Sequence, residues 1–422
     1  MEVKPGYKQT EMGVIPVDWD VKPLSTLAGK IMVGIASAAT HAYRTKGVPM
    51  FRNQNIKAGH LDDEDVLYID PEYEKTYRNK RLQGGDLLTA RTGYPGTTCV
   101  VPSRYESAQS FTTLITRPNT TEIDSSFLCV YINSEAGQKF FEQGQIGGAQ
   151  KNVNAGTLRN MPVPIPPPPE QRAIATALSD VDGLLGGLDR LIAKKRGLKQ
   201  AVMQQLLTGQ TRLPGFHGEW EVKTLFELAE RKKELFDDGD WIESEHITTE
   251  GIRLIQTGNI GVGKYVEKDE KKYIYEASFT SLRCKQLRHG DLLICRLADP
   301  AGRACVLTDI GEERIVTSVD VTIFRPPHEV ANRLFLSNVF STPEWFRAVS
   351  DRSGGTTHKR ISRGALGRLA ITLPPLPEQT AIATVLTEMD AELAVLEQRR
   401  EKTHALKQAM MQELLTGRIR LI

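Results

Sequence analysis

Basic side chains interleaved with tyrosines and amides recur at two places in this chain. Their types and spacing are the ones that could do chemistry. Within residues 75–91, Lys75, Arg78, Lys80, Arg81 and Arg91 face a single acid, Asp86, with Tyr73 and Tyr77 beside them. Further on, Lys264, Lys271, Lys272, Arg283, Lys285, Arg288, Arg296 and Arg303 gather with Tyr265, Tyr273 and Tyr275. A third patch follows each Gly-Gly pair: Gln150-Lys151-Asn152 after Gly147-Gly148, and His358-Lys359-Arg360 with Arg363 after Gly354-Gly355. Glycine lets a backbone approach closely, and basic groups beside it suit phosphate. Gln54 and Asn55 in one place, and Gln256 and Asn259 in the other, add amides of the kind that read adenine edges bidentately. The expected DNA contacts are therefore Gln54, Asn55, Lys80, Arg81, Arg91, Lys151 and Asn152 in the first half. In the second they are Gln256, Asn259, Lys285, Arg296, Arg303, Lys359, Arg360 and Arg363. Taken singly, each is better explained as a solvated surface residue. The argument lies in the same arrangement occurring twice.

Catalytic patterns are missing. The chain holds no phosphate loop, and Gly261-Val262-Gly263-Lys264 lacks the leading glycine that one needs. It has no GxGxxG, HExxH or GxSxG, and no Asn/Asp-Pro-Pro-aromatic run of the amino-methyltransferase kind. Eight histidines are scattered, and five cysteines form no CxxC, so no metal site is expected. Glu270-Lys271-Lys272 belongs to a charge run, which usually means solvated surface. Net charge is +2 from 54 basic and 52 acidic residues, which excludes a polybasic binder but not local basic patches. No apolar run approaches the ~18 residues of a membrane span, and the N-terminus lacks the apolar core of a signal peptide. A cytoplasmic protein with reduced thiols and no membrane partner is expected.

The elements that must position these groups come in duplicate. Pro169-Glu170-Gln171 returns as Pro377-Glu378-Gln379, and Leu206-Leu207-Thr208-Gly209 as Leu414-Leu415-Thr416-Gly417, at one constant interval. Gly85-Asp86-Leu87-Leu88 pairs with Gly290-Asp291-Leu292-Leu293, and Trp19 with Trp220, in unchanged order. The chain is thus two copies of a module of about 200 residues, far beyond the ~20–50 residues of a solenoid repeat.

Each copy ends in a long helix. Apolar residues fall at Ile174, Leu178, Val181, Leu185 and Leu188, and again at Ile382, Leu386, Met389, Leu393 and Leu396, continuing to Leu406. Alternating steps of four and three mark a coiled-coil seam. Lys195, Arg400 and Thr403 interrupt it. Proline precedes each helix and Gly209 or Gly417 follows, as start and stop signals. Helices of about 38 residues would be roughly 55 Å long. The expected fold is α+β. Two globular mixed α/β domains, 1–165 and 210–373, are separated by helical regions 166–209 and 374–422. The two helices form an intramolecular antiparallel coiled coil with pseudo-two-fold duplication. Two related readers on such a frame should recognise separate half-sites, since one DNA turn is about 34 Å. Because the readers diverge, the half-sites should differ. The rival reading is a coiled-coil adaptor for protein or RNA.

The pattern resembles the specificity subunits of type I restriction–modification systems, over the whole chain. The resemblance rests on Pro-Pro-Pro-Pro-Glu-Gln-Arg-Ala-Ile-Ala (166–175), Leu-Pro-Glu-Gln-Thr-Ala-Ile-Ala (376–383), the two Leu-Leu-Thr-Gly ends, and the opening at Gly6–Glu11 and Ile15–Trp19. It implies two target-recognition domains alternating with two helical regions. It also implies two methyltransferase subunits and, through them, restriction subunits as partners on double-stranded DNA. S-adenosylmethionine, ATP and magnesium would belong to those partners, with no cofactor in this chain. A circular arrangement is implied as well, with the first residues docked near Thr416–Leu421. Methyltransferase contacts are expected at the similar helix ends: Gln171, Arg172, Gln204, Gln205, Gln379, Gln412 and Glu413.

Overall fold

The structure, a computed structural model, describes residues 4–37, 39–143, 152–297, 300–355 and 359–421. The chain forms two compact units. Unit 1 is Met1–Arg190 with Gln398–Ile422, and unit 2 is Leu191–Glu397. Both borders fall inside the long helices, so each unit holds the start of one helix and the end of the other.

Unit 1 is built on a four-stranded sheet of β1 (Ala28–Val33), β2 (Leu87–Thr89), β3 (Thr98–Val100) and β4 (Leu114–Pro118), ordered β3-β2-β4-β1 and antiparallel throughout. Its long helix is α1 (Pro168–Leu207). Unit 2 repeats the sheet as β5 (Phe236–Asp238), β6 (Leu292–Cys295), β7 (Ala304–Val306) and β8 (Val321–Phe324), ordered β5-β8-β6-β7. Its helix α2 runs Leu376–Leu414. A second four-stranded sheet accompanies each, with one parallel pair: Val48–Phe51 beside Gln109–Ser110, and Ile252–Ile255 beside Ile315–Thr317. Each unit is therefore a mixed α/β body, and the duplication is structural as well as sequential.

Each apolar stripe serves two partners. Ile174 and Leu178 are buried in the core of unit 1 with Leu87, Leu114, Phe127 and Phe141, and Leu414 from α2 joins them. Ile382 and Leu386 do the same in unit 2 with Phe324, Phe335 and Trp345, joined by Leu206 from α1. Seam positions Leu188 and Leu393 are buried, and Val181, Leu185, Met389 and Leu396 are half-buried. Leu406 is the exception to the expected stripe. It is 56% exposed, because the seam passes instead through Thr403, 9% exposed, and Lys407, which pairs with Asp182. Ion pairs flank the seam within each unit. Lys195 meets Glu392 at 2.7 Å and Lys199 meets Asp390 at 2.5 Å in unit 2. Arg400 meets Asp189 at 2.5 Å in unit 1. In both sets one number rises as the other falls, so the helices run antiparallel. Such exposed pairs are worth roughly 0–1 kcal/mol each; the seam and cores carry the stability.

The Pro-Glu-Gln repeat is a joint. Gln171 accepts a hydrogen bond from the Asp124 N–H at 2.8 Å and donates to the carbonyls of Glu122 and Pro166. Gln379 accepts from Asn332 N–H at 2.9 Å and donates to the Pro374 carbonyl. Asp124 and Asn332 each N-cap a helix of the globular part (Ser125–Asn133 and Arg333–Val339), so one amide ties that cap to the root of the long helix. This corrects the expectation of methyltransferase contact at Gln171 and Gln379, which are 1% and 2% exposed and hydrogen-bonded within their units. Arg172, Gln204, Gln205 and Gln412 are exposed and Glu413 is half-buried, its carboxylate 3.2 Å from Arg418.

The glutamates of the repeat are buried as well. Arg420 donates to Glu170 at 2.6 and 2.8 Å and to Asp18 at 2.7 and 2.9 Å, with its guanidinium over the Trp19 ring. Trp19 Nε1 also donates to Glu170, at 3.1 Å. In unit 2, Arg212 donates twice to Glu378 at 2.5 Å and lies over Trp220. Tyr7 Oη donates to the Gly417 carbonyl at 3.0 Å. The early residues of the chain thus dock at the end of α2, where the resemblance placed them.

Candidate nucleic-acid interface

In unit 1 the strands position one loop cluster at the sheet end away from the α1 root. Strand β1 leaves the sheet at Gly34, whose N–H donates to Thr113, and β2 leaves it at Ala90–Arg91. Asn53 joins these exits. Its Oδ1 accepts from the Arg91 N–H at 2.8 Å and its Nδ2 donates to Thr112 Oγ1 at 3.2 Å. Thr112 N–H donates to the Ile35 carbonyl, and Val153 N–H donates to that of Arg91. Arg91 is half-buried, with Nε 3.4 Å from the Val153 carbonyl. Asn152 lies next to Val153 in the chain, and its buried Oδ1 has no partner among the described residues. Tyr94 stands 84% exposed on the β2–β3 hairpin loop. Lys80 reaches the same exits, donating to the Gly34 carbonyl at 2.8 Å. Lys151 lies outside the described residues, as does His358.

The other candidates of unit 1 have internal duties. Asn55 is 2% exposed; it accepts from Arg52 N–H and donates to the Asp62 and Asp65 carbonyls, closing a one-turn helix. It is spent on the backbone and offers no amide to a base. Gln54 is exposed, with its amide on Asp65 at 2.8 Å. Arg81 forms a two-pronged pair with Glu74 at 2.6 and 2.7 Å, holding that buried carboxyl below its usual range. Burial explains the second use, since an unpaired buried carboxylate is costly.

Unit 2 places its candidates at the corresponding end, and here the sequence expectation changes most. Arg296 is 3% exposed, pairs with Asp238 at 3.0 Å, and donates to the Ile361 and Val319 carbonyls. Arg363 pairs with Asp237, Arg360 with Asp320 at 2.8 Å, and Lys285 with both Asp237 and Asp240 at 3.3 and 3.2 Å. Arg303 donates to the Thr257 carbonyl at 3.2 Å. Asn259 repeats the role of Asn55, 5% exposed and bonded to Gln256 N–H and the Val266 carbonyl. Four expected cations are thus neutralised by carboxylates that the sequence reading passed over, although Asp237-Asp238-Gly239-Asp240 is visible as a run. Burial pushes Asp238 and Asp240 up and Arg296 down, because desolvation opposes charge on either sign. The groups converge on a cleft of about 490 Å³ lined by Asp238, Arg296, Arg360, Ser362 and Arg363. A larger open cleft, 760 Å³, adjoins it, lined among others by Trp241, Gln256, Lys268 and Lys272. Gln256 and the exposed Lys359 remain the candidates placed to reach outward.

All five cysteines are buried and unbridged, and burial pushes the Cys129 thiol up to about 12, which leaves it inert. Among the described residues no group of three or more His, Cys, Asp or Glu is arranged to hold a metal, and no helix is long and apolar enough to cross a membrane.

The model of the type I restriction modification DNA specificity domain matches the chain twice, over residues 16–192 and 217–404. The chain belongs to that family. Each match covers one globular part and runs into the long helix that follows it. The chain of this specificity family is 25% identical over 431 residues to the provisionally named MjaX type I specificity subunit of Methanocaldococcus jannaschii, covering 98% of this chain and 96% of that one. It is 20% identical over 426 residues to the EcoKI type I specificity subunit of Escherichia coli K12, at 97% and 90% coverage. The fold is similar to that of a chain from a type I R-M system solved for its complex assembly and conformational transition (18% identity, TM-score 0.60, 96% of this chain and 99% of that one). It is also similar to the type I S subunit from M. genitalium (13% identity, TM-score 0.58, 98% of each). For this specificity chain, sequence reasoning passed over Asn53 and the Asp237–Asp240 carboxylates. Only the last had a signal, an acidic run beside a glycine.

Proposed function

We propose that this chain is the DNA-recognition subunit of a type I restriction–modification complex and has no catalytic site of its own. The observation that carries the reading is the family match over both halves of the chain. The repeated cluster of basic and amide groups at one sheet end of each unit supports it. Unit 1 and unit 2 would each read one half-site. The half-sites would differ, because the set Arg91, Asn53 and Tyr94 of unit 1 is unlike the carboxylate-neutralised set around Arg296 in unit 2. Two methyltransferase subunits would dock on the exposed helix positions Arg172, Gln204, Gln205 and Gln412, and restriction subunits would join through them. S-adenosylmethionine, ATP and magnesium would act in those partners, and the assembly would work in the cytoplasm.

The test is genome-wide mapping of N6-methyladenine in a methylation-free host carrying this chain with its neighbouring methyltransferase subunit. The expected result is a split motif with a fixed unspecified gap, absent when the methyltransferase is alone. No chain-dependent motif, with both proteins soluble and associated, would move the protein or RNA adaptor reading to first place.

A further inference from the structure

Three hydroxyls meet at the strand-exit end of unit 1, and one ammonium lies over the ring that carries one of them. Ser37 Oγ lies 2.6 Å from Tyr77 Oη and 3.4 Å from Tyr73 Oη, and the two phenol oxygens are 3.4 Å apart. The phenols are held in place: Tyr73 and Tyr77 rings contact at 5.2 Å, and His41 meets Tyr73 edge-on at 5.1 Å. Lys80 Nζ sits 5.8 Å from the Tyr77 ring centroid. It donates to the Gly34 carbonyl, which uses one of the three donors of an ammonium. No carboxylate pairs with Lys80 among the described residues. The nearby acids are taken, Glu74 by Arg81, Glu72 by Lys75 and Asp70 by Arg44. The Ser37 hydrogen bond, followed by that of Tyr73, holds the Tyr77 phenol below its ordinary value, which makes it a better donor.

Unit 2 has the same seat with different contents. Gly239 corresponds to Gly34: a Cβ on either would strike the carbonyl oxygen of the neighbouring strand, Ser318 or Ser110. The next residue is Ile35 in unit 1 and Asp240 in unit 2, each bridged in parallel to that strand. Lys285 stands where Lys80 does, but it is neutralised by Asp240 at 3.2 Å and Asp237 at 3.3 Å. Trp241 and Ile242 follow Asp240 in the chain, so Ser37 has no hydroxyl counterpart.

We propose that Ser37, Tyr73, Tyr77 and Lys80 form a socket for one backbone phosphate of DNA, present in unit 1 and absent from unit 2. The proposal rests on the DNA-recognition reading. A phosphodiester carries one negative charge and several acceptor oxygens. The cluster offers one positive charge and hydroxyl donors that rotate to meet them. Contacts of this kind set position and register and carry no sequence information directly.

The experiment uses the complex of this chain with its methyltransferase subunit, and duplex DNA carrying the motif mapped for the wild type. Lys80→Ala should weaken binding to that duplex and to an unrelated one alike, and leave the methylated motif unchanged. Its log–log salt slope should be shallower by about 0.9, so that from about 50 to about 200 mM salt the wild type loses about 3.5-fold more affinity than the variant. Tyr77→Phe, which keeps the ring packing, should weaken both duplexes with the slope unchanged. An unchanged slope for Lys80→Ala, in a complex that melts like the wild type, overturns the socket. So does a relaxed motif, which would make Lys80 a base reader. Lys80-dependent binding of inorganic phosphate without any change in the DNA slope also overturns it, since the cluster would then take a free anion. A wild-type complex that gives no chain-dependent motif fails at the earlier step and removes both readings.

Discussion

Arg420 grips Glu170 through two hydrogen bonds of 2.6 and 2.8 Å, although 250 residues separate them in sequence. Arg212 grips Glu378 in the same way. Glu170 is 3% exposed and Glu378 fully buried, so each carboxylate depends on its arginine. Arg420→Ala should cost unit 1 about 3 kcal/mol, the low end for a broken buried pair, because Trp19 Nε1 still donates to Glu170 and the guanidinium is itself partly exposed. Urea unfolding of the purified complex measures this. A change under about 1 kcal/mol would show that water replaces the arginine at little cost.

The seam gives a sharper contrast. Leu178→Ala and Leu386→Ala each empty a fully buried site and should cost about 2–5 kcal/mol. Leu406→Ala, on the same periodic stripe by sequence, should stay within about 0.5 kcal/mol because its side chain faces solvent. Equal losses at Leu386 and Leu406 would contradict the register described for α2.

Acid should act on Glu74 of unit 1 and on Asp238 and Asp240 of unit 2 in opposite senses. Arg81 holds Glu74 below the ordinary carboxylate value of 4.5. The stabilisation from Glu74 is therefore full above the unfolded-state pKa and is lost as pH falls through the folded one. Burial raises Asp238 and Asp240, so their penalty is full above their folded pKa values and is relieved as pH drops towards the unfolded ones. Glu74→Gln should flatten the acid limb of unit 1 unfolding, read as urea midpoints between about pH 6 and pH 3. A limb as steep as that of the wild type would show that Glu74 does not govern it.

Lys359 and Arg296 separate binding from folding. Lys359 is exposed, with its ammonium 3.2 Å from Ser350 Oγ, and Lys359→Ala should lower the salt slope of DNA binding by about one unit with an unchanged melting temperature. Arg296→Ala should instead destabilise unit 2 by about 3 kcal/mol or more, since it strands the buried side of Asp238. Electrophoretic or fluorescence titration at several salt concentrations, beside a thermal melt, distinguishes the two outcomes.

The helices, their ends and the duplication were legible in the sequence because each rests on a local rule. Proline opens each helix, the 3.5-residue period sets its apolar stripe, and Gly209 and Gly417 end it at φ +70° and +68°. Within the candidate interface the legible part was the neighbourhood: Arg91 and Asn152 lie at the strand exits of unit 1, and Arg296, Arg303, Arg360 and Arg363 at those of unit 2. What the sequence hid was partner choice. Asn55 and Asn259 look like base readers, but each closes a turn of its own backbone, and nothing in the residue type separates the two uses. Lys285, Arg360 and Arg363 look like phosphate contacts until Asp237, Asp240 and Asp320 are brought beside them from other strands and loops. Gln171 and Gln379 sit at polar-looking helix starts, and only the fold shows the cap residues waiting for them.

The Ile35–Asp240 pair has an evolutionary meaning. The position just past the first strand's end is apolar in one copy and acidic in the other, and together with Asp237 it makes the neighbouring lysine of unit 2 an internal counter-ion, where Lys80 of unit 1 has no carboxylate partner among the described residues. A recognition surface built this way is adjustable from beneath. Drift at concealed residues can add or withdraw an external charge while every exposed side chain stays as it was, so a change in how tightly the surface holds an anion need leave no mark on the face that meets it.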